Sequence, residues 1–274
     1  MRLHCKKNKK LNSKIFKERK VIFSGILIAL IFLLFGYMYF SGEEYFKEKS
    51  EEEKAEQIVK QVQKEKKENG VDDLKKSYRD MIGWIEIPDS DFSYPVMQTG
   101  TEGSPIKDWM YYLHRDVYGN YSFYGPPFLD VRCTTESDNM IIYGHNINGR
   151  RYFGYLQNFR EKNFFDRHNV LYFLKRNSVK EKYKIVAVIE TDTKSGLYDF
   201  TDYGNEEDYS RAVKRIIDKS KYRNAVAESI GKEMKEKSVE AFFKSYKFIT
   251  LSTCRTMDGK DKRLMVVACK EVRE

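Results

Sequence analysis

Apolar positions are distributed along this chain in three regimes. Val21 to Phe40 is a block of twenty residues without a charge, the length of a bilayer span. From Ser41 to Asn69 apolar residues thin out to Ile58, Val59 and Val62 in a dense mixture of Glu and Lys. That pattern predicts a helical or partly disordered stalk, solvated on most faces, and no heptad is sustained long enough for a coiled coil. Beyond Gly70 the pattern changes again, to short apolar runs of strand length separated by Gly, Pro, Asn and Asp.

Asp72 is a candidate N-cap for a short helix ending near Met81. The β-rich part begins at Gly83. Trp84 to Pro88 alternates, and Phe92 to Gln98 is a second extended run whose Pro95 assigns it to an edge or irregular strand. Asp108 to His114 reads as an aromatic helical turn, and Asp116 to Pro127 as loop. Phe128 to Asp130 and Met140 to Tyr143 are short buried strands, the second ending at Gly144-His145-Asn146. Tyr152 to Phe165 carries apolar residues near helical spacing. Asn169 to Lys175 and Lys182 to Thr191 are strands, and Thr193 to Tyr203 is loop or short strand. Glu206 to about Lys219 is an amphipathic helix with Asn205 as its cap, and a second helical stretch runs through Val226 to Lys237. Tyr246 to Cys254 and Arg263 to Ala268 form a hairpin-like pair around the polar loop Arg255 to Lys262. Many short strands with few long helices predict a mainly β fold with helical decoration (α+β), closed or nearly closed into a barrel.

Charge changes the picture only at the N-terminus. The chain has 274 residues and a net charge of +9, but residues 1–20 hold nine Lys or Arg against the single acid Glu18. The remainder is nearly neutral, so the basic excess is a topology signal and not a groove for nucleic acid. It predicts a cytoplasmic tail at 1–20 and a signal-anchor at 21–40. The stalk at 41–70 and a folded domain at 71–274 then lie outside the cell. A cleaved signal peptide would have a shorter apolar core ending in small residues, whereas Phe35, Tyr37, Met38, Tyr39 and Phe40 occupy that end.

Four cysteines are present, Cys5, Cys133, Cys254 and Cys269, without the spacing of a zinc site. Three lie beyond the apolar block, so at least one stays unpaired. A Cys133–Cys269 disulfide has no support in the sequence. A reactive cysteine needs a base to take its proton and a donor for the anionic oxygen of an acyl-transfer intermediate. Cys254 ends a strand. His145 follows an apolar strand beside a glycine and is the best base candidate. His4 lies before the apolar block, and His114 and His168 lie in polar contexts. Arg263 opens an apolar strand that would fix its guanidinium, with Lys262 and Arg255 as competitors for its role. The plainer readings are a His145 that braces a turn and an Arg263 in a surface ion pair.

Tyr143-Gly144-His145-Asn146, Leu251-Ser252-Thr253-Cys254 and Arg263-Leu264-Met265-Val266-Val267 together resemble the catalytic set of sortases, membrane-anchored cysteine transpeptidases of Gram-positive bacteria. Gly83-Trp84-Ile85, Tyr112-Leu113, Phe128-Leu129-Asp130, Phe153-Gly154-Tyr155-Leu156 and the helical insertion before the cysteine strand resemble class B. The resemblance covers about residues 72–272 in matching order. It implies a closed eight-stranded barrel with N-terminal helices and a helix in that insertion. It implies that Cys254 attacks the Thr carbonyl of an NPQTN-like or related C-terminal sorting motif of secreted proteins. A thioester forms and a peptidoglycan precursor amine resolves it, with His145 as acid and base, Arg263 supporting the oxyanion, and no cofactor. By the same resemblance Leu113, Thr193, Leu197, Tyr198 and Ser252 line the peptide groove. Core packing is the plainer reading of Leu113, Leu197 and Tyr198, and a solvent-facing strand position that of Ser252. Two departures stand out: Trp109, where class B members often have a polar residue, and Arg255, whose charge is expected to favour the thiolate. A hydrolase with the same dyad and a non-catalytic surface-binding module are the alternatives.

Overall fold

A computed structural model of the chain describes residues 2–272 other than 103, 148–150, 176–178 and 257–260. In the N-terminal helix the side chains of 2–22, 24, 25 and 28 also lie outside the description, and with them His4, Cys5, the basic tail and part of the Val21–Phe40 block. The chain forms two compact units, residues 1–50 and residues 51–274. Helix α1 (Arg2–Ser77) is interrupted at Gly70, where φ is 78°. In the first unit Phe32, Leu33, Leu34, Phe35 and Tyr37 to Phe40 are exposed on this helix. Among the described residues no helix is long and apolar enough to cross a membrane.

Among the described residues the second unit holds ten strands: β1 (Met81–Glu86), β2 (Ser93–Met97), β3 (Phe128–Leu129), β4 (Asn139–Tyr143), β5 (Asn146–Ile147), β6 (Arg151–Tyr152), β7 (Val170–Leu174), β8 (Lys180–Asp192), β9 (Tyr246–Cys254) and β10 (Lys262–Glu271). Eight of them close into a barrel in the order β1-β2-β3-β4-β9-β10-β8-β7, and β5 and β6 form a small separate ribbon. Pro95 sits within β2, paired with Trp84 of β1, so the run expected at an edge is inside a closed barrel. A closed barrel has no free edge, and the two-residue partner β3 leaves most of the far side of β2 unladdered.

Alternation sorts the long strands onto two faces. Leu264, Val266 and Ala268 of β10 and Ile249 and Leu251 of β9 fill the barrel interior. Met265, Val267, Cys269 and Phe248 face outward beneath α3 (Glu206–Lys219), α4 (Ala225–Glu236) and α5 (Val239–Phe242). Asn205 caps α3 by accepting from the Asp208 N–H at 2.9 Å, as the sequence predicts, and Ala212, Val213, Ile216 and Ile217 are its buried face. A 3-10 helix (Phe153–Arg160) follows β6, leading into α2 (Lys162–Arg167).

The segment read as a solvated stalk divides at Glu51. Ala55, Val59 and Val62, spaced i, i+4 and i+7, are buried on one stripe of α1 against the barrel. Polar anchors flank that stripe. Arg151 pairs with Glu52 and, at 2.8 Å, with Glu56. Lys66 pairs with Glu86 at 2.5 Å and lies over the Trp84 ring. Three small apolar residues in a Glu/Lys-rich run are too weak a periodic signal to announce a packed helix.

Candidate active site

Topology brings the candidate residues together. β4 pairs parallel with β9, ending at Tyr143↔Ser252. Two residues further along, in step on the two chains, stand His145 and Cys254. The step is kept beyond the ladder: the Gly144 N–H donates to Ser252 O at 3.1 Å, and the Thr253 hydroxyl donates to Gly144 O at 2.7 Å. On the other side of β9 the antiparallel register pairs Cys254 with Arg263. The imidazole, thiol and guanidinium are therefore brought to the same end of three neighbouring stretches of chain. Residues opposite one another on adjacent strands share a sheet face, and this is the outer face that α3 to α5 cover lower down β9.

Where that cover ends, a cavity of about 540 Å³ opens. His145, Cys254 and Arg263 line it together with Trp109, Met110, Leu113, Phe128, Tyr143, Gly144, Thr193, Tyr198, Ser252 and Thr253. Of the groove residues expected from the resemblance, Leu113, Thr193, Tyr198 and Ser252 are in this lining. Leu197 is not: it is 6% exposed and packs into the cluster beneath the helices. Sequence reasoning did not assign Met110, Phe128, Tyr143 and Thr253 to the site. Their apolar or strand-like contexts look the same as core positions, and only the curvature of the barrel turns them toward one hollow.

His145 Nε2 lies 2.7 Å from the carbonyl oxygen of Leu113. A carbonyl only accepts, so Nε2 carries the hydrogen and Nδ1 is the basic atom. Burial holds the imidazole below the usual histidine range. The Leu113 hydrogen bond opposes that shift and the neighbouring His114 adds to it. The two imidazole centroids are 6.1 Å apart. The His145 imidazole is thus neutral at neutral pH, with Nδ1 able to accept a proton.

Cys133, Cys254 and Cys269 are all unpaired thiols, so no disulfide joins Cys133 to Cys269. Burial pushes the Cys133 and Cys269 thiols up to about 12, which keeps them protonated and inert. Cys254 alone of the three is partly exposed. The Arg255 guanidinium bonds Glu190 at 2.7 Å, and Glu190 also holds Arg160 at 2.9 Å, so the cation beside the thiol is engaged in an ion-pair network. The backbone N–H of Arg255 donates to Lys262 O at 3.1 Å.

The aromatic wall has its own support. The Tyr143 hydroxyl donates to Asp130 at 2.7 Å, and its ring stacks on Tyr198 with centroids 6.2 Å apart. The Tyr198 and Ser252 hydroxyls are 2.8 Å apart.

The closed barrel carries a helical insertion and a cavity lined by a thiol, an imidazole and a guanidinium. The sortase domain is matched over residues 85–271, and the chain belongs to the sortase family. Within that family its relatives are of class B. It is 31% identical to sortase B of Listeria monocytogenes over 202 residues, 73% of each chain. The structure of the Staphylococcus aureus sortase B–substrate complex superposes with a TM-score of 0.60 at 24% identity, covering 81% of this chain and 95% of that one. A sortase B complexed with triglycine superposes with a TM-score of 0.61 at 24% identity, covering 83% and 99%.

Proposed function

We propose that this chain is a cysteine transpeptidase that cleaves a C-terminal sorting motif of secreted proteins and transfers the protein to a peptidoglycan precursor amine. The observation that carries the reading is that His145, Cys254 and Arg263 line one cavity, with Cys254 paired to Arg263 across β9 and β10. The substrate-bound and triglycine-bound relatives support a peptide donor and an amine acceptor.

In this reading His145 Nδ1 takes the thiol proton and the Cys254 sulfur attacks the carbonyl carbon of the motif threonine. The tetrahedral oxyanion needs a donor. In many acyl transferases the N–H after the nucleophile serves, but here the Arg255 N–H is bonded to Lys262 O. The Arg263 guanidinium takes that role, since it stays charged and presents several N–H groups. The imidazolium then protonates the leaving amine, and a thioester remains on Cys254. An incoming amine attacks the thioester, gives a proton back through His145 and departs joined to the protein by a new amide bond. Leu113, Thr193, Tyr198 and Ser252 hold the motif in the cavity.

The membrane attachment belongs to the same proposal. A cationic flank at 1–20, an uncharged block at 21–40 and the exposed Phe32 to Phe35 side chains on α1 suit an uncleaved anchor with the catalytic unit outside the cell.

A fluorogenic peptide with an NPQTN-like motif, assayed with and without a glycine-peptide amine, tests the reaction. Transfer predicts a ligated product whose yield follows acceptor concentration. Cleavage indifferent to the acceptor assigns the chain to hydrolases. No cleavage, together with no selective labelling of Cys254 by a thiol probe, assigns it to binding modules.

A further inference from the structure

The Cys254 carbonyl oxygen lies beyond the last β4–β9 pair, on the side where β4 has already ended. Ser252 O, two residues earlier on the same side, is satisfied by the Gly144 N–H. At Cys254 the β4–β9 ladder is no longer there to do the same. Two side-chain amides replace it: Asn146 Nδ2 donates to Cys254 O at 2.9 Å and Gln157 Nε2 donates at 3.1 Å. The two donors come from separate elements, β5 and the 3-10 helix, and both are partly buried.

We propose that Asn146 and Gln157 are positioning residues that clamp the nucleophile's own peptide group and set the thiol against the base. Three observations converge. First, Asn146 is the residue after His145, so one hydrogen bond ties the chain carrying the base to the chain carrying the sulfur. Second, the 3-10 helix grips the same point twice. Gln157 holds Cys254 O, while Arg160 on the same helix holds Glu190, which holds the Arg255 side chain. Third, Cys254 is the last residue of β9, so its carbonyl stands where the sheet stops fixing the chain and the two amides take over.

The physical consequence is specific. A carbonyl with two lone pairs accepts both amides, and their N–H directions fix the plane of the Cys254–Arg255 peptide. That plane sets where the Cys254 Cβ and Sγ point. It also keeps the Arg255 N–H on Lys262 O and away from the oxyanion. Near-attack geometry is lost steeply with displacement, and a shift of about 1 Å costs on the order of 10² in rate. The clamp should therefore act on kcat for peptide cleavage while leaving KM, which the cavity walls set, nearly unchanged.

The inference rests on the proposed acyl transfer only for its kinetic half, so the test has two arms on the full-length protein in detergent. In the first, Gln157→Met removes the donor at similar volume, Gln157→Glu replaces it with an acceptor, and Gln157→Lys keeps an N–H donor of similar reach. Each is also combined with Asn146→Ala. Peptide-cleavage kcat is expected to fall at least 10-fold in Gln157→Met/Asn146→Ala, with KM within about twofold. Among the single variants it should rank Lys above Met above Glu. In the second arm, hydrogen exchange is measured without substrate. Peptides spanning 252–256 and 144–147 should exchange several-fold faster in the double variant, and those spanning 183–189 at the wild-type rate. Unchanged exchange at 252–256 overturns the clamp whatever the enzyme's substrate. So does a loss that appears only in KM, or one that ignores the donor ranking. A wild type that cleaves no sorting peptide but shows the exchange pattern overturns the acyl-transfer reading and keeps the clamp.

Discussion

At the scale of single residues, the site depends on groups whose surroundings differ more than their names. Three thiols share the catalytic unit, and burial leaves one partly exposed. His145 is partly buried and its imidazole is neutral at neutral pH, while His114, 6.1 Å away by ring centroid, is exposed. Because burial lowers the His145 pKa, the sign of its pH linkage is fixed. Above the unfolded value of about 6.5 both states are neutral and nothing changes. As pH falls through that value the unfolded chain takes up the proton first, and stability is lost until the folded pKa is also passed. Melting temperature measured against a His145→Gln variant should therefore drop on acidification below about pH 6.5. Cleavage should hold its rate through that window and lose it only as pH falls past the lower folded value. Parallel melting curves for wild type and variant, or a cleavage rate already lost at about pH 6.5, would contradict this reading. Arg263→Lys keeps the charge and loses the planar fork, so kcat/KM is expected to fall on the order of 10², with melting unchanged.

At the scale of elements, the parallel pair β4–β9 is the device that matters. Parallel strands end at the same side of a sheet, so the turn after each delivers its residue to the same place. Gly144 is needed there for closeness: a Cβ on it would lie 2.5 Å from the Phe153 ring, which is itself fully buried at the start of the 3-10 helix. Gly144→Ala must displace the Phe153 ring or the start of that helix, which carries Gln157. We expect a loss of about 1–3 kcal/mol in chemical denaturation, typical of overpacking, together with reduced cleavage. Equal stability in the alanine variant would mean that the contact is softer than its geometry. The sequence marked Gly144 and His145 as a pair, but the reason for the glycine lies in an aromatic residue nine positions later, invisible until the 3-10 helix is placed.

At the scale of the whole molecule, the catalytic unit starts before its sortase domain does. The domain is matched from residue 85, whereas the compact unit begins at Glu51. A chain beginning at Glu51 should melt as the full-length protein does and leave the membrane fraction. One beginning at residue 71 should lose several kcal/mol, because it deletes the buried Ala55, Val59 and Val62, the Glu52 and Glu56 carboxylates that pair with Arg151, and Lys66, one of the two lysines that pair with Glu86. Equal melting of the two would return 51–70 to the role of a spacer. The sequence by itself determined what is local. Hydrophobic alternation gave most of the barrel strands, Asn205 gave the start of α3, and the residues around Cys254, His145 and Arg263 gave the family resemblance. Register across a closed sheet pairs residues more than a hundred positions apart, and no local pattern encodes it. Only the tertiary structure therefore decided that the three side chains line one cavity, that Leu197 is core, that Arg255 is held by Glu190, and that two amides hold the carbonyl of Cys254.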